Sequence, residues 1–294
     1  MNKTRMFIVN PRAGRTRSTA PLFEAVARFS DAGYLIRIRQ TSARGDAMRF
    51  VCEDGAAYDL IVCCGGDGTL NEVVTGAMQL SAPPPIGYIP CGSTNDFAAS
   101  LHLSADPIET AERICKSEGK WLDVGSFNGR PFAYVASFGA FTRASYSAPQ
   151  TLKNELGHLA YLLEGVKDLS TLRPYRARIE ADGEVFEGEF LFGAVTNATS
   201  LGGVMKLKES YVEFDDGRFE LILIPNPKTA QELQSLIRSL LTQDFDNGGL
   251  IFRHATALQI HTPEAFPWSL DGEYDAGGED VSIQNLRRRL RFMV

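Results

Sequence analysis

The chain has 294 residues, which at roughly 150 per domain predicts about two domains. It is 44% apolar and 22% charged, a globular balance that excludes a mainly disordered chain. Its formal net charge of -6 argues against a nucleic-acid binder, whose domain carries a basic footprint.

Taken in chain order, residues 6–9 form a short apolar strand before Asn10-Pro11, and residues 21–32 an amphipathic helix ending at Gly33. A strand over 34–39, a helix over 46–53, a buried strand over 60–64, a helix over 70–78 and a strand over 86–89 follow. This alternation predicts an N-terminal doubly wound parallel sheet over residues 1–120, with helices on both faces and ligands beyond the carboxyl ends of the strands. From Trp121 the text changes to strands at 124–127, 132–138, 177–180, 185–196, 218–224, 257–262 and 281–283, joined by Gly, Asn and Asp turns. Only 152–169 and 229–241 read as substantial helices there. Residues 121–294 are therefore expected to be a C-terminal antiparallel β-sandwich-like domain, with 290–294 returning to the first.

No apolar run approaches the roughly 20 residues that span a bilayer, and MNKTRMFIVNP has no signal-peptide core, so a cytoplasmic protein is expected. The five cysteines (Cys52, Cys63, Cys64, Cys91, Cys115) are odd in number and lack CxxC spacing, which reads as reduced thiols. The four histidines have no zinc-type spacing, and there is no GxSxG elbow.

The informative segment is Gly65-Gly66-Asp67-Gly68-Thr69-Leu70-Asn71-Glu72, directly after a strand. Its glycines let the backbone approach a polyphosphate, and N–H groups at the following helix start answer the charge. Asp67 among them makes sense mainly with a bridging cation. The segment is neither GxGxxG nor GxxxxGK[ST], which weakens the dinucleotide oxidoreductase and P-loop readings. Two more loops follow strands of the same sheet: Asn10-Pro11-Arg12-Ala13-Gly14, and Pro90-Cys91-Gly92-Ser93-Thr94-Asn95-Asp96-Phe97. Each alone reads as a turn; together, on one rim, they describe a nucleotide site.

NPxxG, GGDGTxNE and PxGSxNDF in this order resemble the catalytic domain of diacylglycerol kinases, a family that includes bacterial soluble lipid kinases and is related to sphingosine and ceramide kinases. Asp123, the turn from Glu213 to Phe219 and Asp271-Gly272-Glu273 extend the resemblance over essentially the whole chain. Two positions depart from it: Arg15 stands where close bacterial relatives often have Lys, and Ser93 where Thr is common. The resemblance implies an ATP-dependent lipid kinase. ATP would be bound by Asn10, Pro11, Arg12, Ala13, Gly14, Thr41, Gly65, Gly66, Asp67, Gly68, Thr69, Leu70, Asn71, Ser93, Asn95 and Asp96. Asp67 and Asp96 would organise Mg²⁺ and the phosphates, and Glu273 would take the proton of the lipid hydroxyl. A structural Mg²⁺ is implied at Asp216, with carbonyls of Glu213 and Arg218. Asp-Gly is equally a strong hairpin signal at that turn, as it is at Asp271-Gly272.

The expected substrate is a diacylglycerol-like lipid, its acyl chains held by the β-rich domain, with no nucleic-acid partner. Membrane contact would be peripheral at the inner surface, through 152–169 or the cluster Arg287, Arg288, Arg289 and Arg291, which also reads as a solvated strand edge. Homodimerisation is common in the family. The rivals are a NAD kinase-like phosphotransferase, which shares GGDGT, and a non-catalytic lipid or nucleotide sensor. The NPxxG and PxGSxND segments argue against the first, and Asp67, Asp96 and Glu273 together against the second.

Overall fold

A computed structural model of the chain describes residues 3–14, 20–139, 173–201, 205–245 and 249–294. Two units emerge: Met1–Val124, Arg130–Ala133 and Arg287–Val294 form the first, and Gly125–Gly129 and Tyr134–Leu286 the second.

In unit 1 the chain runs β1 (Thr4–Val9), α1 (Ala20–Asp31), β2 (Leu35–Gln40), α2 (Asp46–Asp54), β3 (Leu60–Gly65), α3 (Asp67–Ala77), β4 (Ile86–Pro90), α4 (Asp96–Ser100) and α5 (Pro107–Lys116). The strands pair in the order β2-β1-β3-β4, all parallel. β3 is buried at every position, as a strand covered on both faces must be. Phe7, Val62, Cys64 and Ile89 point to one face and pack with Ala25 and Phe29 of α1 and Ala111 and Ile114 of α5. The chain leaves β1 toward β2 on one side and then crosses to β3 on the other. The switch point of the sheet therefore lies between β1 and β3, where a doubly wound fold opens its crevice.

Helices α4 and α5 have no counterpart among the predicted elements. The signal for α5 was present: the Asp106 carboxylate accepts from Ile108 N at 2.9 Å, and Pro107 follows it at the first helical position.

β5 (Lys120–Phe127) and β6 (Arg130–Phe132) lead into unit 2, which contains β7 (Val135–Gly139), β8 (Tyr175–Ala181), β9 (Glu184–Thr196), β10 (Ser200–Leu201), β11 (Met205–Lys206), β12 (Phe219–Pro225), α6 (Ala230–Thr242), β13 (Ile251–Ala255), β14 (Ala257–His261), β15 (Trp268–Leu270) and β16 (Glu273–Asp275). The ladders β10–β11, β12–β13, β9–β12, β8–β14, β15–β16, β7–β15, β7–β9 and β8–β9 are antiparallel. Phe138, Tyr175, Phe266 and Trp268 form its aromatic core, with Tyr175 and Phe266 ring centroids 4.8 Å apart. The last strand, β17 (Asp280–Met293), pairs antiparallel with β14 through 280–284 and parallel with β4 through Phe292 and Met293.

The strand expected over 132–138 is two strands. Tyr134 leaves the ladder because its N–H and that of Val135 both donate to Asp271 Oδ1 at 3.0 Å, while its carbonyl accepts from Thr196 Oγ1 at 2.8 Å. The expected helix over 229–241 is α6, capped by Thr229 Oγ1, which accepts from Glu232 N at 3.2 Å. The helix expected over 152–169 lies outside the described residues.

Candidate active site

The carboxyl ends of β1, β2, β3 and β4 each release a loop, and hydrogen bonds tie these loops together. Asn10 N donates to Cys64 O at 2.9 Å, and Asn10 Nδ2 to Thr69 Oγ1 at 2.9 Å, so the first loop is pinned to the start of α3 across the switch point. Thr41, 8% exposed at the end of β2, donates through its N to Val9 O at 2.9 Å. Cys91 N donates to Gly65 O at 2.8 Å, joining the third and fourth loops. Asp67, the first residue of α3, accepts from Asp96 N at 3.2 Å through Oδ2.

The glycines are there because the loops touch. A Cβ on Gly92 would stand 2.6 Å from Gly66 Cα, and one on Gly14 3.0 Å from Ser93 Oγ. One on Gly65 would meet Thr69 Cβ at 2.6 Å. Asn95 sits at φ 54 in the left-handed region, where its short amide suits it: Oδ1 accepts from Gly92 N and Nδ2 donates to Gly92 O, both at 2.8 Å. Asn95 thereby holds the turn that turns Ser93 outward to an exposed position. Pro11, Arg12 and Gly14 are also exposed, whereas Leu70 and Asn71 are buried under the loop. Arg15 lies outside the described residues.

The clamp on the second loop was missed in the sequence, although its residue stands in the motif. Glu72 of α3 accepts from Gly45 N at 2.8 Å and Ala47 N at 3.1 Å, satisfying the start of α2 from a neighbouring helix. Between them, Asp46 accepts from Arg49, from Ser42 N and Oγ and from Ala43 N. The Arg49 guanidinium foremost, and then these N–H and O–H donors, hold its carboxyl well below the usual carboxylate range. Replacing Glu72 by Ala leaves both N–H groups without this carboxylate, and the urea midpoint is expected to fall by the equivalent of about 1–3 kcal/mol at unchanged slope.

In unit 2, Glu273 is half-buried at the start of β16 and pairs with Leu270 across a two-residue turn. Both turn residues have positive φ, 49 for Asp271 and 87 for Gly272, as a type I′ hairpin requires. The isolated reading of Asp-Gly-Glu as a hairpin therefore describes its backbone. Asp271, 2% exposed, is held by the Tyr134 and Val135 amides. At the other candidate turn, Asp216 Oδ1 accepts from Arg218 N at 2.8 Å, and the Arg218 carbonyl accepts from Asn285 Nδ2 at 3.1 Å. Asp123 is buried in unit 1 and its Oδ1 accepts from Arg288 N at 2.7 Å, where Arg288, within β17, has φ 47.

Glycine-cradled loops with embedded carboxylates, at the switch point of a doubly wound sheet, define a nucleotide-using phosphotransferase. A family model for the diacylglycerol kinase catalytic domain matches residues 4–127, and one described as the YegS C-terminal NAD kinase beta sandwich-like domain matches 135–285. A diacylglycerol kinase of Bacillus subtilis (strain 168) is 34% identical over 96% of this chain and 94% of its own. One of Staphylococcus carnosus (strain TM300) is 32% identical over 99% of this chain and 94% of its own. A solved diacylglycerol kinase structure from Bacillus anthracis str. Sterne superposes with TM-score 0.80 at 26% identity, covering 99% of this chain and 96% of that one. The chain belongs to the diacylglycerol kinase family and is an ATP-dependent lipid kinase. Among the described residues no helix is long and apolar enough to cross a membrane.

Proposed function

We propose that this chain transfers the γ-phosphoryl group of ATP to the hydroxyl of diacylglycerol, giving phosphatidic acid. The observation that carries the reading is the joining of the strand-end loops in unit 1, with Gly66 against Gly92 and Asp67 bonded to the Asp96 amide. In this reading residues 10–14, Thr41, residues 65–71, Ser93 and Asn95 hold the ATP phosphates through main-chain N–H groups and short side chains. Asp67 and Asp96 offer hard carboxylate oxygens of the kind Mg²⁺ selects, and the bond from Asp96 N to Asp67 Oδ2 brings the two residues side by side at the ends of β3 and β4, so the residues present fit the ion. Bound there, Mg²⁺ supplies charge neutralisation to the phosphoryl oxygens. Glu273 orients the lipid hydroxyl and accepts its proton as the oxygen bonds to the γ-phosphorus and the bond to ADP breaks.

The test is a thin-layer assay with labelled ATP against diacylglycerol, sphingosine, ceramide, undecaprenol and NAD. A labelled phosphatidic acid is the expected product. Labelled NADP in its place identifies a NAD kinase, and no product with any acceptor identifies a sensor.

Asp216 is proposed to hold a second, structural Mg²⁺ with the carbonyls of Glu213 and Arg218, a ligand set that the family resemblance supports. Without nucleotide, Asp216→Ala is expected to erase most of the magnesium-dependent rise in melting temperature, because an ion that binds only the folded chain stabilises it by its occupancy. An unchanged rise would leave Asp216 as the acceptor of an ordinary turn. The exposed Arg287, Arg288 and Arg289 support peripheral attraction to an anionic bilayer surface.

A further inference from the structure

At the amino ends of the unit 1 strands, the edge opposite the phosphate loops, the residues before β2, β3 and β4 and the end of α5 enclose a cleft of about 580 Å³. That volume lies within the roughly 300–1,000 Å³ of small-molecule sites. Lys3, Arg5 and Arg291 line it, with Tyr34 and Cys115. The family motifs lie at the other end of the strands and make no use of it.

Arg5 is the anomaly. It lies on β1, on the same face as Phe7, and is 2% exposed. Its guanidinium stacks on the Tyr34 ring, 3.2 Å from the centroid, and lies 4.7 Å from that of Phe29. Nη1 reaches only Cys115 Sγ at 3.7 Å, and the buried Nε has no acceptor. Among the described residues no carboxylate pairs with it. Asp59, which also lines the cleft, receives Thr4 N at 2.6 Å. Arginine does not relieve burial by losing its proton, so a buried guanidinium without an anion is costly, and only part of that cost is offset by aromatic faces. The exposed Lys3 and Arg291 add positive charge, Arg291 also donating to the Glu118 carbonyl, so that three cationic side chains line the cleft against the two carboxylates of Asp59 and Glu118.

We propose that this cleft is a second ligand site, which takes a phosphate-bearing small molecule whose anionic group answers Arg5, Lys3 and Arg291. The phosphate has two sources, a soluble phosphomonoester or the headgroup of an anionic lipid. The proposal does not rest on the kinase reading, since ATP is assigned to the opposite edge of the sheet.

Cys115 is the built-in reporter, being half-buried in the cleft wall, and Cys52 on α2, also half-buried but outside the cleft, is the reference. The full chain, without nucleotide, is alkylated with iodoacetamide and both thiols are followed by peptide mass spectrometry. The arms are inorganic phosphate, glycerol 3-phosphate, vesicles of neutral phosphatidylcholine, and the same vesicles with phosphatidate, against chloride at matched ionic strength. Occupancy is expected to slow Cys115 in a saturable way, roughly tenfold at ten times the dissociation constant, with Cys52 unchanged. Protection by the soluble phosphates assigns a soluble ligand; protection by phosphatidate vesicles alone assigns a lipid headgroup. Arg5→Gln should abolish protection. Because that buried change can also unfold the chain, the exposed pair Lys3→Ala and Arg291→Ala is measured beside it and should weaken protection severalfold. The proposal is overturned by Cys115 rates that no phosphate arm changes, or by full protection in the surface double variant.

Discussion

Asp67→Ala is expected to lower turnover on the order of 10²-fold or more while the circular dichroism spectrum stays that of the folded parent chain. The size follows from what a carboxylate does in a phosphate-binding loop: it holds the cation against developing phosphoryl charge, and removing one such preorganised electrostatic contact costs about that much in rate. The structure supplies a complication that the loop sequence hides. Asp67 Oδ2 also accepts from Asp96 N at 3.2 Å, so the alanine variant loosens the start of α4 as well as removing a charge. Asp67→Asn separates the two effects, since its amide oxygen still accepts from that N–H but no longer binds a divalent ion well. Both variants should therefore lose activity to a similar extent. If Asp67→Asn works at close to the parental rate, Asp67 is a scaffold for the fourth loop and the metal role fails.

The parts of the site that could be read in the sequence are those whose chemistry is local. A glycine beside an aspartate after an apolar run announces a tight strand-to-helix turn, and residues 65–69 make one, with Gly65 so close to Thr69 that a Cβ would meet it at 2.6 Å. The partner that makes those glycines necessary cannot be read: Gly66 is a glycine because Gly92, from a different strand end, lies against it. Glu72 stood in the motif as one more acidic residue, but its job depends on α2 packing beside α3, and no spacing along the chain encodes that pairing. The strand pattern over 132–138 misled for a related reason. The run is apolar but for Ser137, so the side chains gave no warning that a carboxylate 137 residues away takes the Tyr134 amide out of the ladder. Tertiary hydrogen bonds overrode a good local propensity.

Glu273→Gln is expected to lower turnover by roughly 10²–10⁴-fold, the range spanned by general acid–base catalysis, with ATP binding nearly unchanged because the ATP loops belong to unit 1 and Glu273 to unit 2. The glutamine keeps the size and hydrogen-bonding shape of the side chain but accepts no proton. Its neighbour two residues earlier is the rival base, and the geometry separates them. Asp271 is 2% exposed, sits at φ 49 in the hairpin turn, and its Oδ1 takes two main-chain N–H groups. A carboxylate so occupied is a cap for the β7 strand start, whereas Glu273 begins β16 half-buried. Asp271→Asn retains an oxygen acceptor and a residue type that tolerates the left-handed region, so it should keep both fold and turnover. Asp271→Ala removes the acceptor from two buried amides and is expected to cost about 1–3 kcal/mol for each, seen as a lower melting temperature. The decisive comparison is turnover at saturating lipid and ATP in Glu273→Gln and Asp271→Asn. Retention of most activity by Glu273→Gln, with its loss in a folded Asp271→Asn, would move the base to Asp271 and make Glu273 only the residue that closes the hairpin.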